Sequence, residues 1–111
     1  MAQILSQEAI DGAFEWLQTN SETVAIAKVK VKRTEYQAKR IFARLFKRAE
    51  GSVETRKAWA TDHEDYAQAM EAVFEAEEAW EQMADQRNKR EIILELWRTK
   101  EASERQVRSI R

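Results

Sequence analysis

The sequence has no cysteine and no proline, and its only two glycines are Gly12 and Gly51. The absence of cysteine excludes disulfide bonds, thiolate metal sites and a cysteine nucleophile. No apolar run approaches the roughly 20 residues that a membrane-spanning helix needs. The first residues lack the basic start and the apolar core of a signal peptide. We therefore expect a cytoplasmic protein with no membrane association.

The 111 residues are rich in helix-forming side chains such as alanine, glutamate, lysine and arginine. This length and composition predict a single helical domain over residues 1–111. We expect an all-α fold, an antiparallel helical hairpin or bundle that resembles a coiled coil and has one long C-terminal helix. The predicted helices are about 6–19, 21–49, 53–60 and 62–108.

The segment "VAIAKVKVKR" at 24–33 alternates apolar and cationic residues, as a half-buried strand does. The chain has no second segment of this kind, and a lone strand is not stable in water. A three- and four-residue spacing also runs through the segment and beyond it, which is the spacing of a helical seam. We therefore predict helix here, with a seam formed by Val24, Ala27, Val31, Thr34, Ala38, Ile41 and Leu45.

Capping residues set the predicted helix boundaries. Ser6 is a candidate cap for the first helix, which we expect to end near Asn20. Gly51 and Ser52 mark a break, because glycine suits a left-handed helix end and serine caps the next helix. "TDHE" at 61–64 has the pattern of a capping box that starts the long helix at Thr61.

The predicted lengths suggest self-association. A helix over 21–49 reaches roughly 40 Å, whereas one over 62–108 reaches roughly 70 Å at 1.5 Å per residue. The apolar cluster at 92–97 must then meet the first helix, a second copy or another protein. We expect a homodimer, with a bend at "RNKR" (87–90) as the alternative. The candidate self-association residues are Trp80, Met83, Ile93, Leu94 and Trp97.

Charge is strongly segregated although the net charge is −1. Residues 28–57 carry a net +8 and residues 58–85 carry a net −9. Such asymmetry is typical of nucleic-acid-binding surfaces, but it also arises when adjacent segments pair with each other. We favour internal pairing, because Glu71, Glu75 and Glu78 share one face and repel each other unless cations lie opposite.

A basic helix with interleaved aromatic residues can also follow a phosphate backbone and stack bases. Tyr36, Phe42 and Phe46 accompany the cations of the helix at 28–48. Phe42 and Phe46 can equally widen the core face. The candidate nucleic-acid contacts are Lys32, Arg33, Lys39, Arg40, Arg44, Lys47, Arg48, Arg98 and Arg105.

No residue pattern indicates catalysis or a cofactor. His63 is the only histidine, and a bundle metal site would need more than one such ligand. No nucleophile–base pattern or phosphate-binding loop is present. We expect a protein that is not an enzyme and binds no cofactor, metal or small-molecule substrate.

The second half of the chain resembles a class of small all-helical phage and prophage accessory proteins. The similarity covers about residues 40–108. It consists of the Gly/Ser break at 51–52, a start from Ala60 to Tyr66, and the arginine pattern Arg98-Thr99, Ala102 and Arg105. The resemblance implies an accessory protein without catalytic activity, encoded among genes for DNA recombination, replication and countering host defence, and acting in the host cytoplasm.

Three functions remain open at this point. The first is an accessory interaction protein in DNA recombination or replication that docks helix faces on itself and on phage or host proteins. The second is a sequence-independent DNA-binding protein that uses the helix at 28–48. The third is an inhibitor that presents the acidic face of 62–85 to a host nuclease or defence protein.

Overall fold

The computed structural model describes residues 5–110, and every regular element within them is a helix. Helix α1 spans Gln7–Arg48, α2 spans Val53–Asp62 and α3 spans Glu64–Ile110. The predicted all-α class and the long C-terminal helix are confirmed. Across this part of the chain, no helix has an apolar stretch long enough to cross a lipid bilayer.

Helix α1 is continuous, so the predicted boundary between 6–19 and 21–49 is wrong. Asn20 lies inside the helix and its side-chain amide donates to the carbonyl oxygen of Trp16 at 3.0 Å. The predicted helical interpretation of 24–33 is confirmed, and Ser6 caps the helix by accepting a hydrogen bond from the backbone N–H of Ala9 at 3.1 Å. A polar residue that satisfies its own hydrogen bonds on the preceding turn does not end a helix.

The turn between α1 and α2 is held by one arginine. Arg56 donates two hydrogen bonds, of 2.9 and 3.1 Å, to the carbonyl oxygen of Phe46 in the last turn of α1. Its guanidinium lies 4.2 Å from the centre of the Phe46 ring. Gly51 has φ of 111°, and Ser52 caps α2 by accepting from the backbone N–H of Thr55, as the sequence predicts. Arg56 thus satisfies a carbonyl that a helix end leaves without a partner.

His63, and not Thr61, separates α2 from α3. Thr61 lies in α2 and its hydroxyl donates to the carbonyl oxygen of Lys57 at 2.8 Å, so the predicted capping box is wrong. His63 has extended backbone angles, and its Nδ1 accepts from the backbone N–H of Asp65 at 3.1 Å. The imidazole of His63 therefore caps α3, in place of the Thr61 hydroxyl that the sequence predicts.

The chain divides into two compact units, and both α1 and α3 contribute to each. We call Ala25–Gln82 the central unit. Its α1 segment buries Ala38 and Leu45, its α3 segment buries Val73 and Ala76, and α2 buries Ala60. The predicted seam residues of α1 are all buried or half-buried, which confirms the inward face of this helix.

The terminal unit consists of the residues up to Val24 and those from Met83 onward. Its core contains Ile10, Ala13 and Leu94, with Leu17, Ile93 and Trp97 packed against it. Of the apolar cluster at 92–97, Ile93, Leu94 and Trp97 are therefore covered by α1 of the same chain, whereas Ile92 and Leu96 remain 49% and 44% exposed. The length mismatch from which we expected a dimer does not exist, because α1 has 42 residues against 47 in α3.

The polar segment at 85–91 does not interrupt α3. Lys89 and Asp85 form an ion pair at 3.1 Å one turn apart, which supports a helix. Arg90 bonds to Gln86 and its guanidinium lies 5.1 Å from the centre of the Trp16 ring. An arginine stem that covers a half-buried tryptophan takes the place of an apolar side chain there.

We expect Leu45→Ala to lower the free energy of unfolding by about 2–5 kcal/mol, because it leaves a cavity at a side chain that is 2% exposed. Ile26→Ala removes a similar volume at a position that is 61% exposed, and it should change the free energy of unfolding by no more than about 0.5 kcal/mol. Urea denaturation followed by circular dichroism measures both. Equal effects would contradict the assigned core.

Replacing each of the two glycines by alanine should change the stability of the protein in opposite directions. Gly51→Ala should destabilise by about 1 kcal/mol or more, because φ is positive there and the new Cβ would lie 3.4 Å from Thr55. Gly12→Ala should stabilise by about 0.5–1 kcal/mol, because Gly12 lies within α1 with open space around it. Thermal unfolding of the two variants gives the sign of each effect.

Candidate nucleic-acid interface

One side of α1 in the central unit is basic, and Glu35, the one acid of α1 in this unit, lies at its edge, one turn from Lys32 and Lys39. These exposed residues point away from the buried seam, and we call them the α1 basic face: the cations Lys32, Arg33, Lys39, Arg40 and Lys47, with the apolar Ile26, Val29 and Tyr36. Arg33, Arg40 and Lys47 follow each other at seven-residue intervals. They therefore form a row with a spacing of roughly 10 Å along the helix.

The basic face is not neutralised by the acidic segment. Among residues 5–110, no cation of 28–57 lies within 4.0 Å of a carboxylate of 58–85. Our expectation that these two segments pair through direct ion pairs is therefore wrong. The ion pairs present join residues within α3 or next to its start, such as Lys89 with Asp85 and Lys100 with Glu104.

Several cations instead lie on aromatic rings. Lys28 is 5.8 Å from the centre of the Trp80 ring, and Arg48 is 6.0 Å from that of Trp59. Cation–π contacts at exposed sites contribute about 0.5–1 kcal/mol each. Arg44 and Arg48 line an open groove of about 430 Å³ on the flank of α1, together with residues of α3. These three cations thus lie beside the basic face and not on it.

Of the three aromatic residues expected to stack on bases, only Tyr36 is free to do so. Its side chain is 63% exposed and Arg40 lies 5.9 Å from its ring centre. Phe42 is half-buried and packs edge-on against Tyr66 at 5.3 Å. Phe46 is half-buried beneath Arg56. Phe42 and Phe46 therefore widen the core, which is the alternative that the sequence left open.

The two C-terminal candidates belong to the other unit. Arg98 and Arg105 are exposed on α3 in the terminal unit, at positions seven residues apart. Arg105 directs its Nε towards the carbonyl oxygen of Glu101 at 3.4 Å. Arg105 lies five residues before the end of α3 and Arg98 twelve residues before it, so both belong to the C-terminal part of this helix.

The five candidate self-association residues lie on the inward side of α3. Leu94 is buried, and Trp97 packs edge-on against Phe14 with ring centres 5.9 Å apart. Trp80, Met83 and Ile93 are half-buried. These side chains make contacts within the chain, and their role in self-association stays a prediction.

The outward side of α3 in the central unit has the opposite charge. We call its exposed carboxylates the α3 acidic face: Glu64, Glu71, Glu75, Glu78 and Glu81. No lysine or arginine occurs in α3 before Arg87. Phe74 lies among these acids with 54% of its surface exposed.

His63 and its acidic neighbours form a helix junction. Its ring lies 5.1 Å from that of Trp59, and its Nδ1 is 3.8 Å from the carboxylate of Asp65. Within residues 5–110, no three histidine, aspartate or glutamate side chains converge as ligands for a metal ion. The geometry assigns His63 a capping function.

Comparisons with protein-family models, with curated proteins and with solved structures give no match for this chain.

The carboxylates of the α3 acidic face should not stabilise the fold through ion pairs within the chain. Glu75→Gln should leave stability unchanged or raise it by about 0.2–0.5 kcal/mol, because it relieves repulsion from Glu71 one turn away. Asp85→Asn is the matched control and should cost about 0.3–0.5 kcal/mol, since it removes the pair with Lys89. Urea denaturation of dilute protein distinguishes them. A clear loss for Glu75→Gln would restore the internal-pairing hypothesis.

Proposed function

We propose that this chain is a non-enzymatic accessory protein that binds DNA without sequence preference through the α1 basic face. One observation carries the proposal: five exposed cations share this face and none of them forms an ion pair within the described residues, although Glu35 lies one turn from Lys32 and Lys39. Five unpaired cations held on one rigid helix are arranged to contact several phosphates at once.

The shape of this face favours contact with the DNA backbone over reading of bases. The opposite side of α1 is buried against α3, so the outward side offers lysine and arginine side chains, one tyrosine and the apolar Ile26 and Val29. Phosphate contacts position a protein without carrying sequence information. The exposed ring of Tyr36 can stack on a base of single-stranded DNA, and such stacking tolerates any base. We therefore expect single strands to bind more tightly than duplexes.

The biological setting follows from the phage-protein resemblance. It favours an accessory role in DNA recombination or replication in the host cytoplasm, with phage or host proteins as further partners. A helical scaffold that only holds DNA needs no catalytic group. The inhibitor hypothesis, in which the α3 acidic face contacts a host nuclease, would become the leading one if DNA binding failed.

Fluorescence anisotropy with a labelled oligonucleotide tests the proposal. If all five cations of the α1 basic face contact single-stranded DNA, log K should fall with log salt at a slope of about −3.5. Arg33→Gln with Arg40→Gln removes two contacts and should make that slope shallower by about 1.4. Arg98→Gln with Arg105→Gln tests in the same way whether the terminal unit contributes.

The matched control is Lys57→Gln with Lys100→Gln, which removes the same total charge from exposed positions outside this face. It should leave the salt slope unchanged. No binding at low salt would overturn the proposal. An equal loss in the control and the Arg33/Arg40 variant would show that net charge alone governs binding, which would equally contradict a defined interface.

A further inference from the structure

The central unit carries opposite charges on its two outward sides. The buried side chains Ala38 and Leu45 of α1 and Val73 and Ala76 of α3 lie between the helices. The α1 basic face and the α3 acidic face therefore point away from each other. The α3 acidic face has five carboxylates and no cation, and the α1 basic face has five cations with Glu35 at its edge.

The two faces also match in spacing. Arg33, Arg40 and Lys47 repeat every seven residues along α1, and Glu64, Glu71 and Glu78 do so along α3. Both rows thus extend over 14 residue steps, or roughly 21 Å. When two helices are laid side by side, each cation of one row can meet one carboxylate of the other.

Both faces also expose apolar surface beside their charges. Ile26, Val29 and Tyr36 are 47–63% exposed on α1, and Phe74 is 54% exposed on α3. Charge pairs at a surface contribute little by themselves, but they select partner and orientation where apolar groups are buried next to them. A helix of opposite charge with exposed apolar residues is therefore the partner that fits each face, and this chain itself supplies one.

We propose that the α3 acidic face of one molecule docks on the α1 basic face of a second copy. This contact joins two different surfaces, so a pair still has one unoccupied basic face, on one molecule, and one unoccupied acidic face, on the other. Contacts of this kind build rings or open-ended chains. A two-fold dimer through either face would instead oppose like charges. The assembly therefore differs from the homodimer that the sequence led us to expect.

This inference does not depend on DNA binding, but the two share the α1 basic face. A single-stranded oligonucleotide and a second copy would compete for the same cations. We expect DNA to break down the assembly if both proposals hold, because each molecule on DNA can offer only its acidic face to another. Self-association without DNA tests this inference alone.

Sedimentation velocity of the full chain, without DNA, is the test. At low salt the wild type should form species larger than two chains as concentration rises. This growth should be lost near 1 M salt, where charges are screened beyond about 3 Å. Arg33→Glu with Arg40→Glu lowers the net charge of the α1 basic face from +5 to +1 and places two carboxylates opposite those of the α3 row. Glu71→Lys with Glu78→Lys changes the α3 acidic face from −5 to −1 and places two cations opposite those of the α1 row. Each variant alone should remain monomeric.

An equal mixture of the two variants provides the decisive measurement. The changed α1 face of one variant can then pair with the changed α3 face of the other, and their unchanged faces can pair as in the wild type, so the large species should return. Lys57→Glu with Lys100→Glu changes charge by the same amount outside the faces and should assemble like the wild type. A monomeric wild type, variants that still assemble alone, or a mixture that stays monomeric would each overturn the inference. Recovery on mixing also shows that both variants are folded.

Discussion

The burial of one narrow row of side chains on each long helix is the constraint on which the rest of this structure depends. Buried and half-buried residues of α1 alternate at three- and four-residue spacing from Ile10 to Leu45. Those of α3 do the same from Tyr66 to Trp97. A row of this kind lets two helices pack side by side. Small residues such as Ala38 and Ala76 lie within it, so the helices can approach closely.

Once these rows are buried, the outward faces are determined as well. A helix that turns Val24, Val31 and Ala38 inward must turn the residues two positions after each of them outward, and these are Ile26, Arg33 and Arg40. Helix α1 thereby presents cations and α3 presents carboxylates. A net charge of −1 conceals this arrangement, because the two sets cancel in the total but not on the surface. Local faces, and not the total, decide which partner a protein attracts.

The proposed functions both follow from the absence of internal neutralisation. If cations of α1 had paired with carboxylates of α3, neither DNA nor a second copy would find a charged face. Lys28, Arg48 and Arg56 instead lie over aromatic rings of the same unit, while Arg33 and Lys47 are exposed to solvent. In these two proposals DNA and a second copy are alternative ligands for one surface, so assembly would be coupled to DNA binding.

The sequence by itself determined the helical class, the inward seam of α1 from Val24 to Leu45 and the break at Gly51, because these depend on local spacing and backbone freedom. The sequence also indicated that α1 is continuous, since the seam spacing runs through Asn20, but the capping propensity of Asn20 suggested a boundary. Only the tertiary structure decided that α1 covers Ile93, Leu94 and Trp97 and that His63 caps α3. It also decided that the charged segments face away from each other, because the direction of a side chain depends on which side of its helix is buried.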